Sequence, residues 1–274
     1  MSVRPVRPVR RGPLIAALLA TGLLLTGCSG FGGATDHADN VGSAPGGTAA
    51  KDKGAAVSSD ASGGTTGRSA PEAQIVQPEE IPELGAATRA KISPQASQAV
   101  VVTGTGRDSS TSSVVVYERD PVTGWQPVSD IWSAHNAVRG WTDDHFQGDL
   151  RSPIGVFDLT DAGGKLPNPG TRLPYDRGSA FEASGDGFEG EALAGSFDYV
   201  VAINYNRLSG TTPLDWTRPL GEDKGGGIWL HVDHGGPTQG CVSLPRGRMK
   251  QLLRMLDPAK RPIVVMGDAE SLSD

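Results

Sequence analysis

Hydrophobic and polar positions change character twice along this chain. Leu14 to Leu25 is a largely apolar run, Ser29 to about Arg68 has no hydrophobic period, and from Ser97 onward short β-branched runs recur between loops rich in Gly, Pro, Asp and Asn. Runs of that length and residue type form strands. They predict strands over Gln98–Thr103, Ser113–Glu118, Ile154–Leu159, Asp198–Asn204, Gly227–Val232 and Pro262–Met266. Asp120-Pro121-Val122-Thr123-Gly124, between Arg119 and Trp125, is turn chemistry that closes an early hairpin. One helix carries a full amphipathic repeat: Met249, Leu252, Leu253 and Leu256 fall at i, i+3, i+4 and i+7, and Asp257-Pro258 ends it. The lead-in over 71–96 is rich in Pro and Glu, and Ala86–Ile92 predicts a short helical turn within it. The expected architecture is one mainly β domain over 97–268, a size that a single core serves.

The N-terminus sets the expected compartment. Four arginines and no acidic residue precede the apolar run, which is short for a membrane span and ends in small residues, as an export signal does. Leu25-Thr26-Gly27-Cys28-Ser29 resembles the lipobox of bacterial lipoproteins, which implies cleavage after residue 27 and lipidation of Cys28. Acyl chains contribute about 0.8 kcal/mol per buried methylene, so two or more would hold the chain on the outer face of the cell membrane. The Gly-, Ala-, Ser- and Thr-rich segment from 28 to 70 buries too little apolar surface to fold and reads as a flexible tether, with His37 solvated inside it.

Charge excludes one class of partner. Removing residues 1–27 takes four of the 25 basic residues, leaving 21 against 31 acidic ones, a net of −10. Nucleic acid and anionic surfaces are bound through basic patches, so nucleic acid is not an expected partner.

The chemistry concentrates in Gly227 to Pro245, which reads GIWLHVDHGGPTQGCVSLP. An apolar strand carries His231, and a glycine-rich loop delivers Cys241 ten positions later. The chain has two cysteines, and lipidation of Cys28 leaves Cys241 a lone thiol facing a histidine. Such a pair suits covalent acyl transfer, with a histidinium partner raising the thiolate fraction. The Val232 carbonyl can accept the Nδ1 proton of His231 and leave Nε2 for the sulfur. The amides of Gly240 and Cys241 are the oxyanion candidates, because Gly240 has no side chain to block approach to the backbone. Thr238, Gln239, Ser243, His234 and Tyr205 are candidate substrate contacts, with Asn204 and Trp229 as further residues for the cleft wall. His231, Asp233, His234 and Cys241 also offer zinc-compatible ligand types, but residues 231 and 234 of a continuous strand face opposite ways, so no metal is expected. His135 and His145 read as surface or packing residues.

Together these residues resemble a family. His231 followed by Thr238-Gln239-Gly240-Cys241-Val242-Ser243 is similar to the signature of L,D-transpeptidases, the YkuD-type domains. Gly148-Asp149-Leu150-Arg151-Ser152-Pro153-Ile154-Gly155-Val156-Phe157 and the helix before Pro262-Ile263-Val264-Val265 extend the likeness over roughly 97–267. The resemblance implies a β-sandwich-like domain and a two-step acyl transfer on peptidoglycan stem peptides. Cys241 would attack the carbonyl before a terminal D-residue, and an amine on a neighbouring stem would resolve the thioester. That scheme requires no metal or organic cofactor. High Gly, Ala and Arg usage points to an actinobacterial lipoprotein of this type. Gln239 stands where many members have histidine and Ser243 where many have arginine, which leaves His231 alone as base and removes a cation for a substrate carboxylate. The same acyl-enzyme resolved by water gives an L,D-carboxypeptidase, and a retired site gives a non-catalytic wall-binding lipoprotein.

Overall fold

A computed structural model describes residues 79–274. The apolar run, Cys28, the tether and residues 71–78 of the lead-in lie outside the described residues.

The fold is mainly β. In chain order its elements are α1 (Ala86–Arg89), β1 (Gln98–Gly104), β2 (Thr111–Asp120), β3 (Gly124–Pro127), β4 (Trp132–His135), β5 (Trp141–Thr142), β6 (Ser152–Pro153), β7 (Gly155–Asp158), β8 (Ala162–Gly164), β9 (Tyr175–Arg177), β10 (Val200–Ala202), β11 (Trp229–Val232), β12 (Val242–Leu244), α2 (Arg246–Met255), β13 (Ile263–Asp268) and α3 (Ala269–Leu272). One eleven-stranded sheet runs β7-β13-β1-β2-β4-β12-β11-β10-β8-β9, with β3 attached to β2, and β5 and β6 form a separate pair. The sheet curls around one apolar core, to which β1, β2, β4, β10, β11, β12 and β13 all contribute.

All six predicted strands are present, most with ends moved by a residue or two. The Asp120 carboxylate accepts the amides of Val122 and Thr123, each at 2.8 Å, and this closes the predicted hairpin. The predicted helix is α2, with Met249, Leu252 and Leu253 buried. Strands β4, β5, β6, β8, β9 and β12 are absent from the sequence reading, because two to four residues are too few to establish a period.

The packed structure begins before Ser97 and ends after 268. Ile81, Leu84 and Ala96 join Ala99, Val101, Trp125, Ile263, Val265 and Leu272 in a second apolar cluster. Glu79 bridges to Gly124, and the Gly85 amide donates to the Leu272 carbonyl at 2.8 Å. Isolated apolar residues among Pro and Glu show no period, so the lead-in's part in this cluster is invisible to pattern. Strand β1 is therefore covered on both faces: Val100 and Val102 enter the main core, while Ala99 and Val101 enter the second cluster.

One connection decides where the chemistry sits. Strands β11 and β12 are parallel neighbours, with Leu230 beside Val242, His231 beside Ser243 and Val232 beside Leu244. Only residues 233–241 join them, shorter than the helical crossover usual for parallel strands. The loop must therefore double back along β11, which returns Cys241 to the level of Trp229. The Trp229 amide donates to Cys241 Sγ at 3.4 Å.

Candidate active site

Alternation along β11 and β12 sorts the side chains. Leu230, Val232, Val242 and Leu244 enter the core, so Trp229, His231, Cys241 and Ser243 stand on the opposite face. His231 and Cys241 both open into a cleft of about 390 Å³, whose wall also includes His145, Phe188, His234, Gln239 and Gly240.

His231 is buried, and its Nδ1 lies 2.9 Å from the Val232 carbonyl. A carbonyl can only accept, so Nδ1 carries the proton and Nε2 keeps its lone pair. The ring of Phe197 packs edge-on against it, with centroids 5.4 Å apart. Burial lowers the His231 pKa to about 4, despite the opposing effect of the Val232 contact. Burial likewise raises the Cys241 thiol to about 11, against the Trp229 amide that favours the thiolate. At neutral pH both of these cleft groups therefore rest uncharged, imidazole and thiol alike. The sequence reading expected a histidinium and an enriched thiolate; desolvation acts against both of those charges. The thiol hydrogen points toward the Gly227 carbonyl, 3.7 Å from the sulfur.

The turn that presents Cys241 is held from several sides. Thr238 Oγ1 donates to the Cys241 carbonyl at 2.6 Å and accepts the Gly240 amide at 3.3 Å. The Thr238 amide donates to Asn136, and its carbonyl accepts from Val138. Thr238 borders the cleft, but its hydroxyl is engaged in shaping the nucleophile's turn rather than free for substrate. Of the two amides expected to face an oxyanion, that of Gly240 is turned to Thr238 at rest. A Cβ at Gly240 would lie 3.0 Å from Ile228 Cδ1 and 3.4 Å from the Arg151 carbonyl, so any larger residue there would crowd the Ile228 side chain.

The Gly148–Phe157 segment supports the same turn. Asp149 accepts the amides of Phe146 and Arg151 at 3.1 and 2.9 Å, and Ser152 Oγ donates to the Cys241 carbonyl at 3.4 Å. His145, read from sequence as surface or packing, is buried in the cleft wall, with its Cε1 3.8 Å from where a Gly240 Cβ would sit. Its Nδ1 lies 3.0 Å from Asp149 Oδ1, without the alignment of a hydrogen bond. Burial lowers its pKa, against the pull of Asp149.

The remaining predicted contacts separate. Gln239 is exposed on the cleft wall. Ser243 is fully buried away from the cleft, and its hydroxyl donates to Asp233 Oδ1 at 2.8 Å, so it is not positioned to touch substrate. Asp233 also meets His135 Nδ1 at 2.9 Å, which places His135 on strand β4 in a half-buried polar cluster instead of a surface loop. Tyr205 turns its hydroxyl to the carbonyls of Lys224 and His145, at 2.8 and 3.2 Å, and not to the cleft. Asn204 bonds Thr160, and Trp229 packs against Phe181 and Phe197, so neither lines the cleft. His234 does line it, and the expectation that it faces away from His231 fails. Strand β11 ends at Val232, the loop bends, and the two imidazoles stack with centroids 5.8 Å apart and planes 12° apart. Among the described residues no three His, Cys, Asp or Glu side chains converge as metal ligands.

Glu191 is the residue the sequence reading missed. Its Oε1 lies 3.0 Å from His234 Nδ1, and its Oε2 accepts the Glu189 amide at 2.8 Å. Gly187 and Gly236 flank the carboxylate so closely that a Cβ on either would collide with it.

A family model, YkuD, the L,D-transpeptidase catalytic domain, matches residues 101–265. The chain belongs to the L,D-transpeptidase family. No curated protein and no solved structure matches it. L,D-transpeptidase domains of this family act on peptidoglycan stem peptides, and the match spans β11, the returning loop and β12, the stretch that carries both His231 and Cys241.

Proposed function

We propose that this L,D-transpeptidase-family protein cross-links peptidoglycan through a thioester on Cys241. The observation that carries this reading is the return loop, which brings a lone thiol and a buried imidazole of fixed tautomer to one cleft. As the sulfur attacks the stem-peptide carbonyl, its proton passes to His231 Nε2, so charge develops only during reaction. A histidinium whose pKa is held near 4 is a strong acid and gives that proton promptly to the leaving D-residue amine. The thioester remains until an amine from a second stem attacks it. The Cys241 amide stabilises the oxyanion, joined by Gly240 once substrate displaces its weak contact with Thr238. Thr238, Asp149 and Ser152 position the nucleophile, and Gln239 faces the substrate.

The same proposal places the chain outside the cytoplasm, held by lipid on Cys28 with residues 28–70 as tether. Radiolabelled palmitate should enter the full chain and not its Cys28→Ser variant.

The test of function is incubation with a stem tetrapeptide, with and without an amine acceptor, beside Cys241→Ala. Release of the terminal D-residue, with cross-linked product only when acceptor is present, is the expected result. Tripeptide as the sole product in both conditions makes the protein a carboxypeptidase. No product from folded protein contradicts both, and unchanged binding of Cys241→Ala to sacculi then marks a wall-binding module.

A further inference from the structure

Three imidazoles line the cleft, those of His145, His231 and His234, and the supports of the last two differ in kind. His231 is backed by a neutral carbonyl, His234 by a carboxylate. The Glu191 carboxylate is held ionised chiefly by backbone amides, its own and that of Glu189, with the His234 contact adding to this. Donation of the His234 Nδ1 proton to it leaves the lone pair on Nε2. The His234 side chain is only 5 % exposed, borders the cleft and stacks on His231. A carboxylate-backed imidazole stabilises the charge it acquires on taking a proton, whereas one backed by a carbonyl gains much less.

The two halves of an acyl transfer make different demands. Forming the thioester moves a thiol proton transiently to a base and on to a leaving amine. Resolving it begins with an aliphatic amine that is an ammonium ion at neutral pH, with a pKa near that of lysine, about 10.4. The ammonium has no lone pair until a base removes a proton. His231 is a poor base for that step, because burial and the adjacent His234 both oppose charge on it.

We propose that His234, oriented by Glu191, is a second base that deprotonates the acceptor amine; this rests on the transpeptidase reading above. The acceptor ammonium gives one proton to His234 Nε2, and the freed nitrogen lone pair attacks the thioester carbonyl carbon. The C–N bond forms as the C–S bond breaks, the electron pair leaves on sulfur, and the second proton on nitrogen returns to sulfur through His231. His234 then releases its proton to water. Thiol, amide and one solvent proton balance the ammonium and thioester consumed. Gln239, next to Gly240 in the cleft wall, supplies no imidazole, so His234 stands there with His231 and His145 alone among the described lining residues.

The experiment follows decay of a preformed acyl-enzyme, made on the full chain with a stem tetrapeptide, in wild type, His234→Gln and Glu191→Gln. Each receives methylamine, an ammonium at pH 7, or hydroxylamine, which is already an unprotonated amine there. The proposal predicts that His234→Gln slows methylamine-driven decay at least about tenfold more than hydroxylamine-driven decay, with Glu191→Gln showing the same pattern more weakly. Equal slowing with both acceptors would reduce the pair to a structural role and overturn the proposal, as would no slowing in either variant. Failure of the wild type to form any acyl-enzyme would remove the transpeptidase reading and this proposal with it, an outcome distinct from the first two.

Discussion

Strands β1 and β13, and strands β11 and β12, are both parallel pairs in one sheet, and both send alternate residues into the same core. In the first pair Val100, Val102, Val264 and Met266 face the core, while Ala99, Val101, Ile263 and Val265 face a second apolar cluster. In the second, Leu230, Val232, Val242 and Leu244 face the core, and the opposite face carries His231, Cys241 and Ser243. The framework is the same and only the outer covering differs. Where the lead-in and α3 seal β1 and β13, the strands are structural; where the loop from 233 to 241 arches over a cleft, the same geometry holds reactive groups rigidly in a desolvated site. Desolvation there acts against both resting charges, so the site keeps its proton in the thiol until substrate arrives.

The largest expected break in this comparison is at His231. Replacing it with alanine should slow acylation by about 10²–10⁴-fold, the usual contribution of a general base, as read from single-turnover kinetics. Next is the pH profile of stability. The folded His231 pKa, about 4, lies below its ordinary value of about 6.5, so between those limits the unfolded chain binds more protons and stability falls on acidification. The loss should reach roughly 3 kcal/mol by pH 4. Cys241 acts with the opposite sign: its folded pKa of about 11 lies above its unfolded value, so its contribution is present below that value and lost as pH rises toward 11. Urea titrations of wild type and His231→Gln across pH 4–7 should differ in slope only on the acid side. The smallest effect belongs to the sealed pair. Val265→Thr buries a hydroxyl in the second cluster and should cost about 1–3 kcal/mol by urea unfolding, with turnover per folded molecule unchanged.

What the sequence shows of the two pairs differs for the same reason. Strand β1 reads directly, because four apolar residues in a row between polar flanks fit a strand covered on both sides. His231, Cys241 and the Val232 carbonyl are legible because they lie within eleven residues of one another, and the glycines between them announce a reversal. Glu191 and His145 are not legible: each comes from a distant loop, and only tertiary packing shows that Glu191 meets His234 and that His145 lies near Gly240. Ser243 and Tyr205 mislead because residue type advertises a polar contact without saying with whom. Their partners, Asp233 and the Lys224 carbonyl, are decided by the bend after Val232 and by the loop ending at Lys224.

The central claim is that Cys241 carries the acyl group. The most direct measurement is intact-protein mass after mixing with a stem tetrapeptide at short times, followed by peptide mapping of the trapped adduct. The account predicts a mass increase equal to the donor peptide less its terminal D-residue, located on the peptide containing Cys241 and absent from Cys241→Ala. An adduct on any other residue, or turnover that survives in Cys241→Ala, would contradict it.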